Sequence, residues 1–311
     1  MFSGLRKKST WIFLVVMVSI LSLLVGCGAD KAAPDKDKSG KKVIGLSIST
    51  LNNPFFVDLR DGAQAAAKEL GIELVVMDAQ NDASKQMANI ENLVQQKVSV
   101  LIVNPVDSKA VVPAIEAANK ANIPVITVDR GAEGGKIVSA IASDNVAGGK
   151  MAAKLLIDKL GGKGKVIELE GIPGSSAAND RGKGFDDEIK TATGITLLAK
   201  QPADFDRAKG MKVMENLLQS NPEIQAVFAQ NDEMALGAME AIKAVKRDVL
   251  VVGFDATADA VKAVNNGDML ATVAQKPKDM GKVSIETAQK IMNGETVPES
   301  IPVALELIVK K

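Results

Sequence analysis

The 311-residue chain has no histidine and no tyrosine, a single tryptophan and a single cysteine. Without histidine, imidazole acid–base catalysis and histidine-based metal sites are excluded. One cysteine cannot form an intramolecular disulfide. Neither sign of charge dominates, with 38 basic residues against 38 acidic. Nucleic-acid binding needs a basic face and is not expected. Cofactor and metal motifs also fail. Asp35, Asp37, Ser39 and Gly40 begin like a calcium loop, but the twelfth position is Leu46 rather than Glu. The glycine-rich stretch from Gly161 to Lys165 has no Gly-Lys-Ser/Thr opening a helix, and Gly182–Phe185 has no strand just before it. No catalytic residue, metal or cofactor is therefore assigned.

The one long apolar run lies near the start. Arg6, Lys7 and Lys8 precede a mostly apolar stretch from Trp11 to Val25, and Gly26 and Cys27 follow. A basic segment, a short apolar segment and small residues at a cut form a secretory signal. A spanning helix needs about 20 apolar residues, and this run is shorter. Leu24-Val25-Gly26-Cys27 resembles a bacterial lipobox, in which the cysteine receives a diacylglyceryl group. Two acyl chains give stable anchoring. The expectation is a signal peptide over 1–26, lipidation at Cys27, and export to the outer face of the cytoplasmic membrane. Residues 27–42 are charged and small, and form a flexible tether. Removing the leader takes away three basic residues and the tryptophan. The remainder is slightly acidic, and its aromatics are Phe55, Phe56, Phe185, Phe205, Phe228 and Phe254.

From Val43 onward, short β-rich runs alternate with amphipathic stretches. The runs are Val43–Ser49, Ile72–Met77, Val98–Val103, Pro124–Val128, Lys136–Ser143, Lys165–Leu169, Ile195–Ala199, Ala226–Ala229, Val249–Gly253 and Leu270–Ala274. Val303–Val309 reads as one last strand. Helical patterns cover Phe56–Leu70, Ser84–Gln96, Lys109–Ala121, Ala147–Leu160, Arg207–Ser220, Glu233–Val245 and Met280–Met292. Alternating strands and helices imply βαβ units around parallel sheets. A break near Ser143 divides the pattern. The chain reads as an α/β protein with two doubly wound parallel-sheet domains and a cleft between them.

Ligands of open α/β sheets bind beyond the carboxyl ends of the strands. Those ends carry Asn53, Phe55 and Phe56, then Asp129 and Arg130. Later come a loop from Gly171 to Arg181, then Phe205, Asn231, Phe254, Asp255 and Gln275. Core packing is the ordinary explanation for any one phenylalanine, and Phe185 and Phe228 fit it. Four phenylalanines clustered beside Asn, Asp, Arg and Gln point instead to a site. Ionised Asp only accepts hydrogen bonds, and Arg only donates. Two of each suit a neutral ligand whose groups do both, such as a sugar or polyol. Its apolar C–H faces would lie on the aromatic rings.

Several stretches carry a resemblance. They are Ser49–Phe56 (STLNNPFF), Asn122–Arg130 (NIPVITVDR), Ile141–Asn145 (IASDN), Gln201–Arg207 (QPADFDR), Phe228–Gly237 (FAQNDEMALG) and Val251–Asp255 (VVGFD). The chain from about Val43 to the end resembles the D-ribose-binding proteins of bacterial ABC sugar importers, in the type I periplasmic binding protein superfamily. The resemblance implies a β-pyranose held between two domains. Asn53, Phe55, Phe56, Asp129 and Arg130 would line one side, and Arg181, Phe205, Asn231, Phe254, Asp255 and Gln275 the other. It also implies a three-segment hinge near Ser143–Asp144, Gln275–Lys276 and Ala304–Leu305. The N-terminal domain would then be 43–143 plus 276–304, and the C-terminal domain 144–275 plus 305–311. Implied partners are the permease subunits of an ABC importer and, for some relatives, a chemoreceptor. A monomer is expected.

Two other classes compete. A glycosidase could use Asp129 and Asp255 as its carboxylate pair. Arg130 beside Asp129 argues against this, because it favours the ionised form over a general acid. The effector domain of a sugar-responsive repressor would need a helix-turn-helix ahead of the core, where residues 1–42 offer a leader and a tether. Within the binding class, the alternatives are another pentose, allose or a furanosyl signalling molecule of the autoinducer-2 kind.

Overall fold

The computed structural model describes residues 42–310. The leader, Cys27, the tether as far as residue 41, and Lys311 lie outside the described residues. Strands and helices alternate from the first residues onward. The order is β1 (Val43–Ile48), α1 (Pro54–Glu69), β2 (Glu73–Asp78), α2 (Ala83–Gln95), β3 (Val100–Val103), α3 (Val112–Lys120), β4 (Val125–Val128) and β5 (Ser139–Ser143). Then come α4 (Asn145–Lys159), β6 (Lys163–Glu170), α5 (Ser176–Ile189), β7 (Gly194–Pro202), α6 (Arg207–Ser220), β8 (Ala226–Ala229) and α7 (Asp232–Ala244). The chain ends with β9 (Leu250–Asp255), α8 (Ala258–Asn266), β10 (Ala271–Ala274), α9 (Pro277–Met292), β11 (Ser300–Val303) and β12 (Glu306–Val309).

The central strands β3, β4 and β8 are buried at every residue. Helices cover both faces of a parallel sheet, so its strands are continuous apolar runs rather than alternating ones. Helix starts are fixed locally. Asn53, Asp82, Asp144, Asp206 and Asn231 each accept a hydrogen bond from a backbone N–H of the helix they precede. Such caps stabilise a helix by about 1 kcal/mol each.

Two six-stranded sheets result. Their orders are β2-β1-β3-β4-β5-β11 and β7-β6-β8-β9-β10-β12. All neighbours run parallel except β12, which is antiparallel to β10. The two sheets thus repeat one doubly wound order, with a switch of direction beside β1 in one and β6 in the other. The chain passes between them after β5, after β10 and after β11. Helix α9 packs back on α1, β4 and β5, and α4 packs on β9 and β10.

Three expectations need correction. Val303–Val309 is not one strand. It is the end of β11 in the first sheet and β12 in the second, broken at the crossing. Apolar period alone cannot reveal a strand that changes sheets. Arg181 is not in a loop either, because it sits on α5. The glycines, Asn179 and Asp180 of α5 are poor helix formers, so the stretch reads as irregular. Those glycines serve packing. A Cβ on Gly184 would stand 2.0 Å from the Val146 carbonyl oxygen, and one on Gly149 would stand 2.1 Å from that of Arg181. Helices α4 and α5 touch backbone to backbone there. Helix α8 was likewise unanticipated, and it is only nine residues long.

Candidate functional site

The carboxyl ends of both sheets face each other across a cleft. The first lobe contributes Asn53 at the cap of α1, Phe55 and Phe56 in its first turn, and Asp129 and Arg130 just past β4. The second contributes Arg181 on α5, Phe205 after β7, Asn231 at the cap of α7, Asp255 at the end of β9 and Gln275 after β10. These ten residues and Ala177 line one narrow space between the lobes, with about 10 Å³ of free room, the scale of a single water. Phe254, the eleventh residue expected in the site, does not line it. Its ring lies under the Arg181 guanidinium, 3.8 Å from the carbon to the centroid. Ala177 was not anticipated, because an alanine carries no chemical signal in a sequence.

None of the eleven expected residues is more than 8 % exposed. The lining is buried between the lobes. Arg130 joins the two walls, with its guanidinium carbon 5.0 Å from the Phe56 centroid and 5.2 Å from that of Phe205. Beside the cavity the lobes also touch directly. Ser108 N–H donates to the Gly174 carbonyl at 3.0 Å, and Gly131 N–H donates to Ser176 Oγ at 2.8 Å.

The charges fall into two pairs. Arg130 Nε stands 3.7 Å from Asp129 Oδ2, and Arg181 Nη1 stands 3.7 Å from Asp255 Oδ1. Both separations are too long for a hydrogen bond. The guanidinium groups are held by other acceptors. Arg130 Nη1 donates to the Pro105 carbonyl at 3.2 Å. Arg181 donates to Asn145 Oδ1 at 2.8 Å and to the Gln230 carbonyl at 2.6 Å. Burial pushes the Asp129 and Asp255 carboxyls up, and the neighbouring arginines oppose it. Burial pulls Arg130 down to about 10, which leaves it cationic at neutral pH.

Three buried polar atoms on the cavity wall have no partner. They are Asp129 Oδ1, Arg130 Nε and Gln275 Oε1. An unpaired buried polar group costs about 1–3 kcal/mol, more when charged. Here two acceptors and one donor wait around one small space flanked by phenylalanine rings. The arrangement matches a compact molecule with hydroxyl groups and apolar faces.

Backbone strain collects at the same strand ends. Asp129 (φ 64°), Asp204 (55°), Phe205 (58°), Asp255 (119°) and Ala256 (57°) all have positive φ. Such residues cost about 1–3 kcal/mol each and persist where the surroundings hold them. No sequence pattern announced this.

Residues 44–296 match the periplasmic binding protein domain. The chain belongs to the periplasmic binding protein family. Its sequence is 53 % identical over 287 residues to the ribose import binding protein of Haemophilus influenzae, covering 92 % of this chain and 96 % of that one. It is 48 % identical over 301 residues to the ribose import binding protein of Bacillus subtilis, covering 96 % and 98 %. Among solved structures, an ABC transporter solute-binding protein from Bacillus halodurans with bound myo-inositol superposes with a TM-score of 0.84. That pair is 36 % identical and covers 88 % of this chain and 96 % of the other. Periplasmic binding proteins of this family thus share the two-sheet architecture around the cleft.

Outside the cavity, a larger open groove runs along the crossing segments. Exposed Lys276, Lys278 and Asp279 line it, together with Phe55, Asp255 and Gln275. Its lysines and Asp279 are solvated, and of the residues with unpaired buried atoms on the cavity wall it borders Gln275 alone. Among the described residues no cluster of His, Cys, Asp and Glu is placed to hold a metal ion. No described helix is long and apolar enough to cross a membrane.

Proposed function

We propose that the protein captures D-ribose in the interdomain cavity and presents it to the permease subunits of an ABC importer. The observation that carries this reading is the set of unpartnered buried atoms, Asp129 Oδ1, Arg130 Nε and Gln275 Oε1, around one narrow space between the lobes. A pyranose supplies hydroxyls that donate to the first and third and accept from the second. Phe55, Phe56 and Phe205 cover its C–H faces. The names of the relatives from Haemophilus influenzae and Bacillus subtilis support ribose as the sugar.

Only the closed form offers both walls at once, so a sugar bridging them stabilises closure. Domains 43–143 plus 276–304 and 144–275 plus 305–311 swing about the three crossings. The protein performs no chemistry on its ligand. It works as a monomer outside the cytoplasmic membrane, tethered through a lipid on Cys27. The closed rims address the permease and, where the cell uses it so, a chemoreceptor. A second reading keeps the class and changes the sugar to allose, another pentose or a furanosyl signal. The myo-inositol bound to the Bacillus halodurans relative favours it, since that ligand is a different polyol.

Calorimetric titration of the protein lacking its first 27 residues tests this. Tight one-to-one heat with D-ribose and weak heat with its epimers is the expected result. Heat only with another sugar selects the second reading, and none with any sugar removes both.

A further inference from the structure

Asp232 is fully buried, yet it neither lines the cavity nor pairs with a cation. It is the first residue of α7, directly after Asn231. Its carboxylate gathers donors from two other strand ends. Oδ2 accepts from Thr257 N–H at 2.7 Å and from Thr257 Oγ1 at 3.2 Å. Oδ1 accepts from Thr272 Oγ1 at 2.7 Å, and that hydroxyl oxygen accepts from Ala256 N–H at 3.1 Å. The network therefore ties together β8, β9 and β10 just where Asp255 and Ala256 turn through positive φ.

Two details indicate that the turn, rather than either helix, is what this network serves. Thr257 stands at the N-cap of α8, where a threonine ordinarily accepts from its own helix. It makes no such bond, and its hydroxyl points to Asp232 instead. Gly253 faces the same carboxylate, and a Cβ there would stand 2.3 Å from Asp232 Oδ1. Only glycine lets the carboxylate sit so close to β9. Asp255, at φ 119°, lies well outside the favoured backbone regions and is held on both sides of its turn. Its carboxylate then reaches Gln275 Nε2 at 2.9 Å and faces Arg181.

We propose that Asp232, Thr257 and Thr272 are positioning residues for ligand binding: they clamp the strained Asp255–Ala256 turn and so aim the Asp255 carboxylate into the cavity. This rests on the reading of the cavity as a sugar site. The clamp touches no ligand. It acts by making the costly backbone conformation the resting one, so that closure does not have to form it.

The test uses Asp232→Asn, Thr272→Val and Thr272→Ser, titrated with D-ribose and its monodeoxy analogues. Asp232→Asn and Thr272→Val should weaken D-ribose about ten- to hundred-fold, the scale of one unsatisfied buried group. Thr272→Ser keeps the hydroxyl and should bind as the parent does. The deoxy analogue that is indifferent to Asp255→Asn should also be indifferent to Asp232→Asn and Thr272→Val. Equal losses across all analogues, or parent-like D-ribose binding by Thr272→Val, would overturn the proposal. Amide hydrogen exchange of the ligand-free protein gives a second readout. Ala256 and Thr257 should exchange faster in Asp232→Asn and Thr272→Val, but not in Thr272→Ser. If the parent takes no sugar at all, the sugar reading has failed, and the exchange rates alone decide whether these residues hold the turn. Parent-like exchange in Asp232→Asn and Thr272→Val refutes the clamp.

Discussion

The two lobes repeat one topology and offer matching walls, each with an Asp, an Arg and phenylalanine, but they support those walls differently. Behind Asp129 in the first lobe stand neutral amides. Asn104 Nδ2 donates to Asp129 Oδ2 at 3.1 Å and to the Val128 carbonyl at 3.0 Å, and Asn104 Oδ1 accepts from Ser49 N–H. Gln86 braces Asn104 in turn, donating to its carbonyl at 2.9 Å. Behind Arg181 and Asp255 in the second lobe stand buried carboxylates. Asp232 holds the Asp255 turn. Glu168 accepts from Gln230 Nε2 at 2.7 Å, and the Gln230 carbonyl accepts from Arg181. An amide network keeps its hydrogen-bonding pattern at any pH, whereas a carboxylate network changes when it takes a proton. The support behind the first wall is neutral and that behind the second can take protons, while the buried Asp of each wall is itself raised.

The comparison breaks most completely at the residue shared by both walls. Arg130→Ala removes the group between Phe56 and Phe205 and leaves Asp129 buried without its cation. Breaking a buried pair costs about 3–5 kcal/mol, so D-ribose affinity should fall about a hundred- to several-thousandfold. Asp255→Ala should do the same from the other wall. Circular dichroism should report an intact fold in both. Parent-like calorimetric binding by either variant would remove that residue from the site. One step smaller, Asn104→Ala unpairs Asp129 Oδ2 and Ser49 N–H together. At about 1–3 kcal/mol for an orphaned group, affinity should drop about thirtyfold. Asn104 helps hold Asp129 in its ionised form against burial, so the loss should be no smaller at pH 5.5 than at pH 8. A loss that is larger at pH 8 than at pH 5.5 would contradict this role for Asn104.

How much of this could be read from residues alone depended on what each residue does. Asn53, Asp129, Arg130, Phe205, Asn231 and Asp255 stand at strand ends and carry polar or aromatic chemistry, so strand alternation located them. Arg181 was found as a residue but misplaced in a loop, since the glycines of α5 disguise a helix. Gly149 of α4, which faces α5, matters to the site through contact. Gly149→Ala would push α4 against the Arg181 carbonyl, at an overpacking cost of about 1–3 kcal/mol. Affinity should fall about tenfold, with a lower denaturation midpoint. A parent-like midpoint would show that the helices can part without strain. Asn104, Asp232 and Thr272 escaped notice because support is a relation between distant segments. Asp232 and Thr272 are 40 residues apart and meet only in the folded sheet. The crossing at Ala304–Leu305 came from resemblance, because its residues look like any strand.

The smallest effect on affinity at neutral pH is expected from Glu168→Gln, and it sharpens the contrast through stability. Burial pushes the Glu168 carboxyl up to about 7, although Lys200 lies 3.2 Å from Oε2 and Gln230 donates to Oε1. Glu170 and Asp186 share the same lysine, which dilutes its pull. In the unfolded chain the group takes its proton near the usual glutamate value of about 4.3. Between these values the folded protein holds one more proton than the unfolded one. Stability must then rise as pH falls through about 7 and level off near the unfolded value. The shift corresponds to about 4 kcal/mol at most, at 1.36 kcal/mol per pH unit. Asp232 and Asp255, also raised by burial, add to the same slope. Glu168→Gln keeps an acceptor for Gln230 but has no proton to gain. Its urea midpoint plotted against pH should lose about one proton's worth of slope between pH 7 and 5. Parallel slopes in the parent and Glu168→Gln would mean that Lys200 keeps Glu168 ionised throughout. The responsive part of the second wall would then be Asp232 and Asp255 alone.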